Sequence, residues 1–238
     1  MKEGELIAVY VFGSVGRGQQ DSLSDLDLLA IVKNGSGKVP EASIVFSVPD
    51  EFRHLKPSIS WYGGDRLREM FRNGELFAWH LYRETFPLYD PAGFLASLGS
   101  PAPYQDAVAD TRSFQKVLKG IPSQINANEH NAVYEAGLVY VCLRNIAMAA
   151  SWALCEFPDF TRYSPFQLRG IRGCPISRQE FEVTMACRMA GQRGNTPPAG
   201  VSRSFVSDIY RRLEPWIEEL CITLFRNSRD EWNQTHPF

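Results

Sequence analysis

Apolar positions follow two different rhythms along this chain. Up to Tyr89 they come in short runs broken by turn residues, and beyond Pro103 they recur at three- and four-residue spacing. The run Leu6–Phe12 (LIAVYVF) is short and partly β-branched, as in a buried strand. Gly13-Ser14 interrupts it, and Val15–Gln20 reads as a turn or a short helix. Asp25–Val32 (DLDLLAIV) starts with alternation and ends almost continuously apolar, which predicts a second strand. Lys33–Pro40 is a loop by composition, and Ser43–Val48 (SIVFSV) and Ser58–Tyr62 (SISWY) are further strand candidates. Gly63-Gly64-Asp65 opens a helix over Arg66–Arg72, a second helix covers Glu75–Glu84, and a short strand, Phe86–Tyr89, precedes Asp90-Pro91.

Pro, Gly and Ser cluster from Gly99 to Pro103, which predicts a linker. After it, Gln105–Leu118, Ala132–Leu154, Arg178–Met189 and Ser204–Phe225 carry helical periodicity. Pro215 is expected to kink or split the last of these, and Gly191–Gly200 reads as a loop carrying Arg193. Strands followed by helices predict an α+β chain. It would comprise a mixed-sheet domain with flanking helices over residues 1–98 and a helical bundle over residues 99–238.

Composition narrows the function classes. The 238 residues carry 25 Lys and Arg against 27 Asp and Glu, a formal net charge of −2, so bulk charge gives no strong nucleic-acid signal. The apolar stretch Ala136–Phe157 is interrupted by Arg144 and Asn145, where a lipid-facing charge would be costly, so it reads as a buried bundle helix and not a membrane span. Leu6–Phe12 is too short for a secretory signal, and no small-residue cleavage site follows it. The five cysteines form no CxxC and suit small buried hydrophobes in a reducing compartment, so a cytoplasmic location is expected. His54, His80, His130 and His236 show no metal-ligand spacing.

The chemistry is concentrated in residues 12–32, FGSVGRGQQDSLSDLDLLAIV. Asp25 and Asp27 are two apart on a predicted strand, so both carboxylates share a face, with Cα atoms roughly 6.5 Å apart. Two anions this close repel by about 2–4 kcal/mol at an effective dielectric near 20. A hard divalent cation relieves that repulsion, and Mg²⁺ characteristically takes one or two carboxylates plus substrate phosphates. Gly13 lets a phosphate approach the backbone where a strand gives way to a turn, and the Ser14 hydroxyl can donate to it. A DxD alone is more often a solvated strand end, and a GS alone is nearly always a turn. Together, on two apolar strand ends, they describe a phosphate cradle beside a metal-binding acid pair, as phosphoryl or nucleotidyl transfer requires.

These residues resemble the GS…DxD signature of minimal nucleotidyltransferases in the DNA polymerase β superfamily, and kanamycin-type antibiotic nucleotidyltransferases are similar. The resemblance implies that Gly13 and Ser14, with Arg17 and Ser24 beside them, bind the nucleotide triphosphate. It implies that Asp25 and Asp27 bind Mg²⁺, with Mn²⁺ as the alternative. A looser similarity runs through residues 63–90. The implied reaction moves a nucleoside monophosphate, AMP from ATP, onto a hydroxyl of a small molecule or a protein. RNA ends are less favoured acceptors, and oligomeric state, a homodimer included, stays open.

Family members often carry a third acidic residue on a later strand, where this chain has Ser58. Either a base comes from the helical domain, with Glu135 of HNAVYEAG as the candidate, or the protein binds nucleotide with little turnover, as an antitoxin-like regulatory partner in a defence system would. The bland alternative for Glu135 is an exposed helix carboxylate. VYEAGLVYVCLRNIAMAASW resembles the core helix of HEPN-like and kanamycin-type helical domains. Ala149, Ala150 and Ser151 stand where a HEPN ribonuclease would carry its His, which disfavours RNA cleavage. Arg144, inside an apolar helix, needs a partner, either an internal carboxylate or a substrate phosphate. Arg162, Arg169, Arg172 and Arg178 could form an anion-binding rim. Trp79, Tyr82, Tyr134, Tyr140 and Trp152 suit core packing.

Overall fold

The computed structural model of the chain describes residues 4–21 and 24–235, with side chains up to residue 227 apart from residue 193. Ser22 and Leu23 of the signature segment, and His236, lie outside the described residues. The chain divides into two compact units, Met1–Gln105 and Asp106–Phe238.

The first unit is a mixed four-stranded sheet in the order β3-β2-β1-β4. Its strands are β1 (Leu6–Phe12), β2 (Leu26–Val32), β3 (Pro57–Gly63) and β4 (Phe86–Tyr89). β1 pairs antiparallel with β2 and β4, and β2 pairs parallel with β3. Both faces of β1 and β2 are covered, which is why their sequences run nearly continuously apolar. On one face Tyr10, Phe12, Leu29 and Ile31 pack against Leu67, Met70, Ala78, Leu81 and Phe94. These belong to α3 (Gly64–Asn73), α4 (Leu76–Glu84) and α5 (Phe94–Leu98). On the other face Val9, Val11, Leu28 and Ala30 pack with Ile44 and Val48.

Ser43–Val48, expected as a strand, does not join the sheet. Glu41–Val45 is a helix, α2, following the short α1 (Gly13–Gly16). Ile44 and Val48, four apart, are buried while Phe46 is 84% exposed, which is helical spacing with the β-branched residues on the covered face. Burial decided the matter against β propensity, and the side of β2 not paired with β1 is taken by β3. The Gly99–Pro103 stretch, expected as a linker, is packed onto the first unit. The Ala102 N–H donates to Phe71 O at 2.8 Å, Trp79 Nε1 donates to Ala102 O at 2.9 Å, and Tyr104 is buried. Gly74 caps α3 in the left-handed region (φ 65°), where a Cβ would strike the Ala102 carbonyl.

The second unit is built from α6 (Ala107–Ala127), α7 (Ala132–Leu154), α8 (Arg178–Arg193) and α9 (Arg203–Thr235). Its core gathers Ile121, Ile125, Leu143, Ile146, Phe181, Leu213, Trp216 and Leu220. Residues Glu129–Leu154 are long and apolar enough to cross a membrane by composition, but 61% of that apolar window is buried inside the unit. Gly137 lets α7 lie close to α8, since a Cβ there would stand 3.0 Å from Arg188 Cα. α8 starts with a capping box, Ser177 with Glu180, and extends through Gly191–Arg193 into what was expected as loop. Pro215 lies within α9, which continues past it as one helix. All five cysteines are free.

Candidate nucleotide site on the N-terminal sheet

β1 ends at Phe12, whose cross-strand partner on β2 is Asp27. The next residue, Gly13, has φ +72°, a conformation that side-chain-bearing residues rarely adopt. A Cβ built on Gly13 would lie 2.6 Å from Asp27 Oδ2. The carboxylate therefore occupies the space that the missing side chain leaves, and the turn and the acid pair meet on one side of the sheet. Glycine is required twice over, for its backbone angle and for the close approach of Asp27.

The turn is closed by its own backbone. The Arg17 N–H donates to Gly13 O at 3.0 Å and the Gln19 N–H to Ser14 O at 2.8 Å. Ser14 is half-buried at the start of α1. Asp25 and Asp27 are both half-buried; Asp27, in β2, shares the face of Leu29 and Ile31, and Asp25 stands one residue before the strand, two positions from it. The start of β2 is fixed by the Leu26 N–H donating to Lys56 O at 3.0 Å. Ser24 is turned inward: its Oγ donates to Asp21 Oδ1 and accepts from the Asp21 N–H, both at 3.0 Å, so it organises the loop leading to the acid pair.

Arg17 makes an ion pair with Glu84, and its Nε donates to Gln19 Oε1 at 3.2 Å. Glu84 Oε2 also lies 2.8 Å from His80 Nε2. A Cβ on Gly16 would collide with the Glu84 carbonyl, so the last turn of α4 presses on α1. Phe12 meets the edges of Phe77 and His80, with ring centroids at 5.7 and 5.6 Å. Sequence reasoning missed His80 and Glu84. Their i,i+4 spacing was visible, but nothing in the sequence linked them to Arg17, 67 residues from Glu84.

β3 puts Ser58 directly beside Asp27 in parallel register, on the same face and exposed. Nearby acids are engaged elsewhere: Asp50 pairs with Arg53 at 2.7 Å and Asp65 with Arg68 at 2.9 Å. Among the described residues, no group of three or more His, Cys, Asp or Glu side chains is placed to hold a metal ion. Asp25 and Asp27 supply two carboxylates, fewer oxygen ligands than a hard divalent cation takes.

The remaining candidates lie in the helical unit. Glu135 is on α7 and only 3% exposed, so it is not a solvated helix carboxylate. Arg144 meets neither a carboxylate nor an open anion site: its Nη2 donates to the Phe160 carbonyl at 3.1 Å. Of the expected arginine rim, Arg172 pairs with Glu219 at 2.5 Å, and Arg178 stacks on the Tyr163 ring at 3.8 Å. Tyr140 is core, whereas Tyr82 and Tyr134 are exposed.

Residues 1–67 match the family model described as a nucleotidyltransferase domain. That span runs from β1 through the first turn of α3 and contains the Gly13 turn, the acid pair and Ser58. No curated protein matches the chain.

Proposed function

We propose that the N-terminal unit binds a nucleoside triphosphate with Mg²⁺ and transfers its nucleoside monophosphate, AMP from ATP, to a hydroxyl on a small molecule or protein. The matched domain supports nucleotidyl transfer in general. The observation that carries the finer reading is Asp27 Oδ2 lying in the space of the absent Gly13 side chain. A triphosphate held at this turn is within reach of the acid pair.

In this reading Gly13 and Ser14 hold the β- and γ-phosphates, Ser14 through its hydroxyl and Gly13 through close backbone approach. Asp25 and Asp27 would hold Mg²⁺, or Mn²⁺, together with phosphate oxygens, and the ion when bound neutralises charge on the triphosphate and the departing pyrophosphate. The acceptor oxygen would bond to the α-phosphorus as the bond to the bridging oxygen of pyrophosphate breaks, and the hydroxyl proton would pass to water or to the departing pyrophosphate. Arg17, held by Glu84, keeps α1 and its turn in position, and Ser24 fixes the loop before Asp25. The helical unit, by its resemblance to kanamycin-type and HEPN-like bundles, would serve acceptor selection.

A second reading is favoured by Ser58, a hydroxyl in the register position beside Asp27 where a third carboxylate would stand. It is a nucleotide-binding regulatory module with little turnover. Calorimetry with ATP and Mg²⁺, followed by pyrophosphate release across a panel of hydroxyl acceptors, separates the two. Release that disappears in Asp25→Asn and Asp27→Asn supports the enzyme. Tight binding without release supports the module. No binding at all defeats both.

A further inference from the structure

A concave site is lined wholly by residues of the helical unit. α6 and α7 frame an open cavity of about 670 Å³. Val117, Ile121 and Leu138 supply apolar wall, and Tyr134 stands at it with 67% of its surface exposed. Glu135 lines the same space from the first turn of α7. It is 3% exposed, and its Oε2 is buried without a hydrogen-bond partner. Lys116, Gln124 and Asn131 also line the cavity, yet none of them bonds that oxygen.

A buried carboxylate oxygen with nothing bonded to it is rare in folded proteins and calls for a partner. The chemistry of the walls narrows what that partner is. A phosphate or carboxylate ligand would leave the inner oxygen of Glu135 without a donor, whatever it gained from Lys116 at the wall. A divalent cation wants several oxygen ligands, and the wall offers one acidic side chain. An ammonium group carries its own charge and donors to Glu135, while a compact hydrocarbon body covers Val117, Ile121 and Leu138. Tyr134, which also lines the cavity, offers an aromatic ring that a cation can approach.

We propose that this cavity binds a small organic ammonium ion, a primary or secondary amine on an apolar or aromatic body, anchored by Glu135. Burial pushes the Glu135 carboxyl above the ordinary carboxylate range. With the cavity free of amine the group is thus held toward its neutral form. Amine binding favours the charged form, so at a pH between the ordinary and the raised value complex formation releases a proton.

The full chain is titrated with phenethylamine and with 2-phenylethanol by calorimetry at neutral pH, with amide NMR shifts at Gly120 and Leu138 marking the location. The amine is expected to bind at least about tenfold more tightly than the alcohol. Glu135→Gln, which keeps shape and removes charge, should abolish that preference. Tyr134→Ala, at an exposed position that does not endanger folding, should weaken the amine several-fold. Asp27→Asn should leave the preference unchanged, so failure of the nucleotide reading would not touch this one. Equal affinity for amine and alcohol, a preference that survives Glu135→Gln, loss of the preference in Asp27→Asn, or no binding at millimolar amine would each overturn the proposal.

Discussion

The two units hold the carboxylates to which we assign ligands in opposite ways. In the N-terminal unit Asp25 and Asp27 stand together, half-buried, at the end of a strand pair, with Asp27 against a glycine that makes room for it. In the helical unit Glu135 is alone, nearly fully buried, and its inner oxygen has no partner. The first arrangement is specified by spacing along one stretch of chain. The second arises only when the faces of two consecutive helices, α6 and α7, are laid side by side. A pair of adjacent anions calls for a multivalent counter-charge brought in from outside, and a lone buried anion calls for a monovalent one. The sites are therefore expected to respond to different ligands and to different mutations.

The sharpest test of that contrast is Asp27→Asn. It should lower nucleotidyl turnover by about a thousandfold while leaving melting temperature and amine binding unchanged, read by pyrophosphate release and calorimetry on the same sample. A variant that lost both activities would show that the sites are not separate. Next is Gly13→Ala, which must place a methyl where Asp27 Oδ2 lies and hold φ near +72°. It should cost about 1–3 kcal/mol of stability in a denaturant titration and take turnover down with it. A stable, active Gly13→Ala protein would dismiss the close approach as unimportant.

Glu84→Gln sharpens the picture of how the turn is held. It leaves Arg17 without its carboxylate and is expected to lower kcat/KM for the nucleotide about tenfold, mostly through KM, because α1 loses its brace on α4. An unchanged KM would assign the ion pair to stability alone. The smallest effect belongs to the helical unit. The Arg212 guanidinium beside Glu180 holds that carboxyl at about 2 instead of 4.5. A carboxyl depressed in the folded state stabilises the protein above its unfolded value, and that contribution fades as pH falls from about 4.5 toward about 2. Both partners are nearly a third exposed, so Arg212→Ala should cost only about 0.5–1 kcal/mol at neutral pH and progressively less across that acid window. A pH-independent loss would place the effect in packing of the arginine stem.

The difference between the units also sets what the sequence could reveal. Strand β1, strand β4 and helix α7 end where their apolar runs end, because each is bounded by turn or polar residues. The Gly-Ser turn and the DxD pair were legible because a strand places residues two apart on one side. Ser43–Val48 misled because SIVFSV has the composition of a strand, while burial at Ile44 and Val48 selects a helix. The Arg17–Glu84–His80 brace was hidden because nothing local signals a contact between residues 17 and 84. Glu135 drew notice as an acid near the start of a helix, but the cavity around it depends on which face of α6 meets α7, and periodicity does not specify that pairing.

β1 and β2 are neighbours in both space and sequence, joined as an antiparallel pair from Leu6↔Val32 to Phe12↔Asp27. Every residue proposed to touch the triphosphate thus belongs to one contiguous stretch of chain. Such a segment can pair before the elements that follow it are made, since its contacts are short-range. The parallel strand β3 and the brace from α4 arrive later and clamp a shape already drawn. Mutations in those later elements should therefore slow the last stages of maturation and leave the first-formed hairpin intact.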